Sequence, residues 1–237
     1  MTVRARLLAL TLVSALCHVP LASADDTRYR FMPYLWTAGM DVEIGRPGNT
    51  TNVDVSFSDY VDLIDVGAAV VFEARRDQWL VATNFLWVSL SEEFNLTDDT
   101  TEAESDEFVI EAFAGYRPAA WENTWIVVGA RYLELDIEID FANINDVSGS
   151  RDFTDPYVGL SWQPRRDNWE YLVEGDIGGG IDADFAWSFT LGAMYHFNER
   201  FAVSGGYRYI DIDLEEDDFI FDGNLDGIQI GLMMTFE

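Results

Sequence analysis

The stretch FAWSFTLGAMYHFNERFAVSGGYRYI, residues 185–210, carries the clearest structural signal in the chain. Apolar residues occupy every second position from Phe185 to Phe197, and mostly small or polar residues fill the positions between them. Because neighbouring residues of a β-strand point to opposite faces, this period of two predicts strands that each have one apolar face. The polar break Asn198-Glu199-Arg200 has the length of a tight turn, so the two strands are predicted to form an antiparallel hairpin.

The same alternation recurs along the chain and predicts an all-β fold, a single antiparallel transmembrane β-barrel of ten strands. The apolar faces are about nine residues long or more, enough for a tilted strand to cross a bilayer. Tight turns alternate with longer or acidic connections, as the periplasmic turns and extracellular loops of outer-membrane barrels do. An eight-strand count is the alternative, and the extended piece Asn52–Phe57 in the first loop can add a pairing. The predicted strands are residues 27–44, 65–75, 79–94, 105–117, 124–141, 152–164, 169–181, 185–197, 201–216 and 226–237.

A soluble β-sandwich, or a soluble barrel with an apolar interior, would show the same alternation with the apolar face turned inward. Size argues against both, because rows of Trp and Phe overfill a ten-strand interior. Gly, Ala, Ser and Thr with a few charges do fit inside. We therefore predict that the apolar faces contact lipid.

Two segments break the simple pattern. In GYRYIDIDLEEDD, Arg208 shares a face with Ile210 and Ile212, whereas Asp211 lies on the face of Tyr209. GARYLELDIEID, around Arg131, repeats this arrangement. Either the strands continue beyond the bilayer, where the outer face meets water and the inner face can be apolar, or a β-bulge shifts the register.

The N-terminal residues predict export. Arg4 and Arg6 precede the apolar run Leu7–Leu16, and Ala22-Ser23-Ala24 has the small-residue pattern of a cleavage site. We expect a signal peptide over residues 1–24 and a barrel domain over residues 25–237, because the apolar run is too short for a membrane helix. The single cysteine lies in the signal segment, so no disulfide framework is expected.

The charge balance argues against two classes of partner. The chain has 43 acidic residues against 14 arginines and no lysine, giving a net charge of −29. Such a surface repels nucleic acid and anionic lipid. The expected partners are outer-membrane lipid, lipopolysaccharide and the barrel-assembly machinery during biogenesis, and a monomer is expected.

Several segments together resemble a known group of proteins: PYLWTAGMDVEI, DVSFSDYVDLIDVGAAVVFEARRDQW, GARYLELDIEID, SRDFTDPYVGLSW, EGDIGGG and the final GLMMTFE. In this order they resemble small Gram-negative outer-membrane β-barrel proteins of unassigned function, over nearly the whole exported chain. The resemblance implies the fold and an outer-membrane location, and it implies no activity. One departure is that Glu237 follows Phe236, whereas such barrels usually end on Phe.

No catalytic constellation is recognisable, and we predict that the protein is not an enzyme. Barrel lipases and omptin-like proteases need a histidine beside a nucleophile or acidic residues. The exported chain has one histidine, His196, at the predicted periplasmic end, which is the wrong end for either class. A structural, hydrogen-bonded role is expected for it.

The predicted inner face carries charges of both signs. Buried charges must be paired, and a guanidinium binds a carboxylate through two parallel hydrogen bonds, so these residues predict a salt-bridged lumen without cofactor. A narrow pore lined by charges is the alternative, and a barrel enzyme acting on lipid or peptide is a remote one. The predicted lumen network is Arg30, Glu73, Arg75, Glu111, Arg117, Arg131, Glu174, Asp176 and Arg208, with Asn84 and Gln229 on the same face.

One segment resembles the opening of a calcium loop. Asp222, Asn224 and Asp226 follow its D-x-N-x-D spacing, but Met233 stands where the final Glu belongs. An Asp- and Asn-rich turn explains the same residues without an ion. Weakly bound Ca²⁺ or Mg²⁺ at the acidic loops is therefore a secondary expectation.

Overall fold

A computed structural model describes residues 27–46, 48–55, 64–96, 99–141, 147–216 and 219–236, which are mostly β-strand. The predicted signal peptide, residues 1–24, lies outside them. Within these ranges, no helix is long and apolar enough to cross a membrane. The strands are β1 Arg28–Arg46, β2 Asn49–Val55, β3 Ile64–Arg76, β4 Trp79–Leu96, β5 Asp99–Tyr116, β6 Thr124–Phe141, β7 Val147–Trp162, β8 Arg165–Arg166, β9 Trp169–Gly178, β10 Phe185–His196, β11 Phe201–Glu216 and β12 Phe219–Phe236.

Ten of these strands form a closed antiparallel barrel, in the order β10, β11, β12, β1, β3, β4, β5, β6, β7 and β9. Pairing of β9 with β10 closes the ring. The two short strands are accessory, because β2 pairs with the end of β1 and β8 pairs with the start of β9. The prediction of ten strands is confirmed, and the eight-strand alternative is wrong. The extended piece that begins at Asn52 does pair, but adds no strand to the wall.

Tight turns connect the strands at one end of the barrel, which we call the turn end. Asp77, Asn123 and Asp167 have φ values of 53°, 58° and 55° in three of these turns. Asn and Asp tolerate this left-handed conformation better than other residues with a side chain. The sequence places them where the chain must reverse within a few residues.

The outer surface carries an apolar belt. Leu35, Ile230 and Leu232 expose 70%, 60% and 61% of their surface. Aromatic residues flank the aliphatic ones, with Trp79, Trp162 and Phe236 among those at the turn end and Trp187 and Tyr207 towards the other end. Aromatic residues at both edges of an apolar band are typical of a membrane-spanning barrel.

Several strands are longer than predicted at the opposite, loop end, whereas β9 ends at Gly178, three residues before its predicted end. Residues 95–96, 99–104, 147–151 and 219–225 were expected in loops, and the structure places them in β4, β5, β7 and β12. The strands stay paired beyond the apolar belt, and in β12 Phe221 and Leu225 continue to alternate with Asp222 and Asn224. The hairpin β11–β12 is paired from Phe201 and Met234 to Glu216 and Phe219.

This register decides between the two explanations for the exceptional segments. No shift interrupts the β11–β12 pairing, so the strands keep their alternation and no bulge is needed there. Ile210, Ile212 and Leu214 point inward with 1%, 4% and 2% exposure, whereas Asp213 is exposed. The strand thus leaves the apolar belt and exchanges the polarity of its two faces. The inward residues pack into an apolar cap at the loop end, formed by Tyr34, Trp36, Phe153, Ala183, Ala186, Ile210, Ile212, Leu214 and Phe221.

Candidate functional site in the barrel lumen

A central ion cluster fills the middle of the lumen and consists of Glu111, Arg131, Asp176 and Arg208. Glu111 on β5 accepts hydrogen bonds from Arg131 Nε at 2.7 Å and from Arg208 Nη2 at 2.6 and 2.7 Å. Arg131 Nη2 also lies 3.2 Å from Asp176 Oδ1. All four residues are less than 10% exposed. The cluster therefore pairs two buried cations with two buried anions.

The contact between Arg208 and Glu111 crosses the lumen. Arg208 is on β11 and Glu111 on β5, which are five strands apart in either direction around the ring. A charge-assisted contact therefore joins two opposite walls of the barrel. Aromatic rings support the guanidinium groups, since Arg208 lies 5.5 Å from the centroid of Trp36 and Arg131 lies 5.3 Å from that of Tyr157.

Neutral polar groups complete this cluster. Asn84 donates to Glu111 Oε2 at 2.9 Å and accepts from the Tyr34 hydroxyl at 2.8 Å. The Ser188 hydroxyl donates to Asp176. Both carboxylates thus receive hydrogen bonds besides those from arginine, as buried carboxylates require.

A second group, the turn-end ion cluster, consists of Arg30, Glu73, Arg75 and Glu170. Arg30 binds Glu170 through two parallel hydrogen bonds of 2.7 and 2.9 Å, and Arg75 Nε binds Glu73 at 2.5 Å. His196 Nε2 lies 3.1 Å from Glu170 Oε2. His196 is thus held by a carboxylate at the turn end, with no serine, threonine or cysteine hydrogen-bonded to it among the described residues.

The structure divides the predicted lumen residues into these two clusters, with two exceptions. Arg117 stands 5.4 Å from the Trp125 ring and donates to the backbone oxygen of Asp77 at 3.2 Å. Glu174 hydrogen-bonds to Ser161 and forms no ion pair with an arginine of the described residues. Asn84 belongs to the central cluster as a hydrogen-bonding partner, and Gln229 lines the cavity described below.

Sequence reasoning missed one member of the turn-end ion cluster, Glu170. Its position in β9 has the same parity as Glu174 and Asp176, so extending the inward face to the first residues of the strand would have found it. His196 has the inward parity of β10, and the pairing of Met194 with Glu170 brings it beside that carboxylate.

The calcium-loop candidate does not form a loop. Asp222, Asn224 and Asp226 lie at alternate positions of β12, on its outer face. Residues two apart in an extended strand are separated by about 6.6 Å, so their side chains do not wrap around one ion as in a calcium loop. Asp226 instead accepts a hydrogen bond of 2.7 Å from the Tyr207 hydroxyl. Among the described residues, no group of three or more His, Cys, Asp or Glu side chains is arranged to hold a metal ion.

A cavity of about 160 Å³ lies between the two ion clusters. Arg30, Glu73 and Arg75 line it on the turn side, and Tyr34, Glu111 and Arg208 line it towards the loop end. The remaining wall is made largely of apolar and small residues of β9 to β12, among them Leu172, Gly192, Met194, Ser204 and Met233.

Comparison with known proteins agrees with this architecture. The family model of the outer membrane protein beta-barrel domain matches residues 142–236. Among solved structures, the outer membrane protease OmpT from Escherichia coli has 10% identity and a TM-score of 0.55, covering 91% of this chain and 99% of that chain. The attachment invasion locus protein Ail of Yersinia pestis has 10% identity and a TM-score of 0.41, covering 89% of this chain and 99% of that chain. At 10% identity the likeness to OmpT concerns the fold alone. No curated protein sequence matches the chain.

Proposed function

We propose that this outer-membrane β-barrel protein is a non-enzymatic component of the membrane whose lumen is closed to solutes. The observation that carries the proposal is the contact of Arg208 with both oxygens of Glu111 across the barrel, at 2.6 and 2.7 Å. A pore needs a continuous aqueous path, whereas these buried side chains bridge opposite walls. The apolar cap closes the lumen a second time on the loop side.

The proposal of no enzymatic activity rests on the chemistry within reach of His196. Its carboxylate partner Glu170 is itself bound by two nitrogens of Arg30, so the pair is part of a structural ion cluster. A serine-type mechanism needs a hydroxyl or thiol hydrogen-bonded to the base. No such group is hydrogen-bonded to His196 in the described part of the chain.

The test is single-channel conductance of the refolded chain, without residues 1–24, in planar bilayers. We expect no steps from the wild type, with insertion verified by the heat-dependent gel mobility of a folded barrel. The triple variant Glu111→Ala, Arg208→Ala, Ile212→Ala opens both closures and is expected to give steps. The matched triple variant Glu122→Ala, Arg200→Ala, Ile181→Ala changes the same residue types at exposed positions and should stay silent. Steady, voltage-insensitive steps from the wild type would overturn the proposal.

The second candidate is a narrow pore for ions or small solutes. The observation that favours it is the cavity of about 160 Å³, which already occupies part of the axis between the two ion clusters. Conduction would require the central cluster and the apolar cap to separate. The same conductance measurement decides between the two functions.

The exposed outer face of the loop-end strands suggests a surface role. Asp213 on β11 is directly paired with Asp222 on β12, which is paired in turn with Glu43 on β1. These carboxylates repel lipopolysaccharide phosphates, so contact between the two requires divalent cations from the medium. The thermal stability of the protein in lipopolysaccharide vesicles should therefore rise with added Mg²⁺. It should not rise in vesicles of a lipid without net charge.

A further inference from the structure

The turn end differs from the rest of the molecule in its charge. The whole chain has a net charge of −29, which predicts repulsion of anionic lipid. The turn that precedes β9 and the turn that follows β10 depart from this balance, because together they contain more exposed cations than exposed anions. The cations are Arg165, Arg166 and Arg200, and the anions are Asp167 and Glu199. This part of the surface therefore has an excess of positive charge.

Backbone contacts fix the turn that holds Arg165 and Arg166. These two residues form β8, which pairs with the first residues of β9. Asp167 follows with a φ of 55°, which allows the chain to reverse. The amide of His196 donates to the carbonyl oxygen of Asn168 at 2.8 Å and ties the same turn to β10. The backbone of both arginines is therefore held against two strands of the wall.

The pairing register places the two arginines on opposite faces of that wall. Arg166 is directly paired with Trp169, and Arg165 is directly paired with Glu170. Directly paired residues of antiparallel strands share a face. Glu170 points into the lumen and is 3% exposed, whereas Trp169 points outward and is 44% exposed. Arg166 therefore lies beside the membrane-facing surface, and Arg165 lies at the mouth of the lumen.

A group of aromatic side chains lies next to Arg166 on the outer face. The centroid of the Trp169 ring is 5.0 Å from that of Tyr195 and 6.5 Å from that of Tyr171. Tyr195 in turn lies 5.4 Å from Phe197. Aromatic rings at the edge of an apolar belt stand at the level of the lipid headgroups. Arg166 is thus held at headgroup level, and no carboxylate of the described residues lies within 4.0 Å of its guanidinium nitrogens.

We propose that Arg166 and this aromatic group bind an anionic phospholipid of the leaflet at the turn end. Its phosphate would accept hydrogen bonds from the Arg166 guanidinium and from the indole N–H of Trp169, and its acyl chains would contact the apolar belt. A headgroup with a net negative charge is favoured, because a zwitterionic headgroup brings a cation that competes with Arg166.

The tight turns of outer-membrane barrels face the periplasm, and the leaflet on that side consists of phospholipid. The site deepens the proposed structural role, on whose membrane placement it rests, by naming a lipid partner. It does not depend on whether the lumen conducts.

The experiment is native mass spectrometry of the refolded protein, released from micelles with equal amounts of phosphatidylglycerol and phosphatidylcholine that have the same acyl chains. The measured quantity is the ratio of the two lipids retained on the protein. We expect phosphatidylglycerol to be retained about fivefold more than phosphatidylcholine, which is the effect of one arginine at an anionic lipid surface. Because this preference opposes the net charge of the chain, it requires a local site. Equal retention of the two lipids by the wild type would overturn the proposal.

Two matched variants locate the cation of the site. Arg166→Gln and Arg165→Gln each remove one positive charge from the same exposed turn, on the outer and on the lumen side. Arg166→Gln should lower the retention ratio to about one, whereas Arg165→Gln should keep the ratio of the wild type. An equal loss in both variants would show that retention follows net charge, and it would overturn a site on the outer face.

A second pair of variants tests the aromatic group. Trp169→Leu should lower the retention of phosphatidylglycerol, whereas Trp121→Leu should not, although both tryptophans are 44% exposed at the turn end. Unchanged retention in Trp169→Leu would overturn the contribution of the aromatic group. The heat-dependent gel mobility of each variant verifies that the barrel is folded. Lipid retention and conductance are separate readouts, so this proposal and the closed lumen can fail independently.

Discussion

Two regions of opposite chemistry fill the lumen. The central ion cluster consists of buried charges that meet across the barrel, whereas the apolar cap at the loop end is built from packed hydrophobic side chains. The border runs along β11 between Arg208, which binds Glu111, and Ile210, which is 1% exposed. Both residues point inward and are only two positions apart.

The outer surface changes in the opposite sense at the same level. Tyr207 and Ile228, on the outer face of β11 and β12, belong to the apolar belt, whereas Asp211 and Asp213 follow on that face. Within the membrane the barrel combines a polar interior with an apolar exterior. Beyond the membrane, where the outer face contacts water, the interior is apolar and the exterior is polar, as in soluble proteins. The outer face of one continuous strand thus contacts lipid along one part and water along the other, and the pairing register does not change. The polarity of a barrel face is therefore set by its surroundings, whereas the alternation of residues along the strand decides which side chains share a face.

The largest effect is expected in the central cluster. Among the described residues, Arg208→Ala leaves Glu111 with Arg131 as its only cationic partner, and removing one partner of a buried pair costs about 3 kcal/mol or more. Urea unfolding of the refolded protein in lipid vesicles measures the loss. The matched change at an exposed turn, Arg200→Ala, should cost less than about 0.5 kcal/mol. Similar losses for both variants would contradict the view that the cross-lumen contact holds the two walls together.

A smaller and more local effect is expected in the apolar cap. Ile212 is 4% exposed, and Ile212→Ala should destabilise the protein by about 2–4 kcal/mol through lost burial and a cavity. Because Ile212 lies near the loop end of β11, amide hydrogen exchange should accelerate mainly in residues 211–216 and 219–224. Ile181→Ala, at a loop position that is 68% exposed, is the control and should change neither quantity. Acceleration spread evenly through the membrane-facing strands would mean that the two regions do not unfold separately.

Part of this arrangement could be predicted from the sequence. Strand number and inward residues such as Glu111 and Arg208 follow from the period of two, which is a local property. The pairing of Arg208 with Glu111 does not, because it depends on which strands stand opposite after the ring closes. Strand ends were misjudged for a related reason, since acidic residues such as Asp222 suggest loops until the apolar residues between them are known to pack inside.

The smallest effect concerns the acidic outer face of the loop end, where Asp213 stands beyond the apolar belt. Partial burial, followed by the negative charges of Asp222 and Asp184, raises the pKa of Asp213 above its ordinary value. The folded state therefore keeps the Asp213 proton to a higher pH than the unfolded chain does. The contribution of this proton to the free energy of unfolding is present at low pH and is lost as the pH rises through the raised pKa. Asp213→Asn should stabilise the protein at pH 7, by less than about 0.5 kcal/mol because the side chain is exposed.

This difference between Asp213→Asn and the wild type should shrink below about pH 4, where the carboxyl group is protonated in both states. It should also shrink in about 1 M NaCl, which screens the neighbouring charges. Glu122→Gln, in an exposed turn at the other end, serves as the control for a general effect of removing a negative charge. If Asp213→Asn stabilises the protein equally at pH 4 and pH 7, charge repulsion on the outer face does not destabilise the folded state. The apolar cap would then be set by inward packing alone, and the exchange of polarity along β11 would carry no electrostatic cost on its water-facing side.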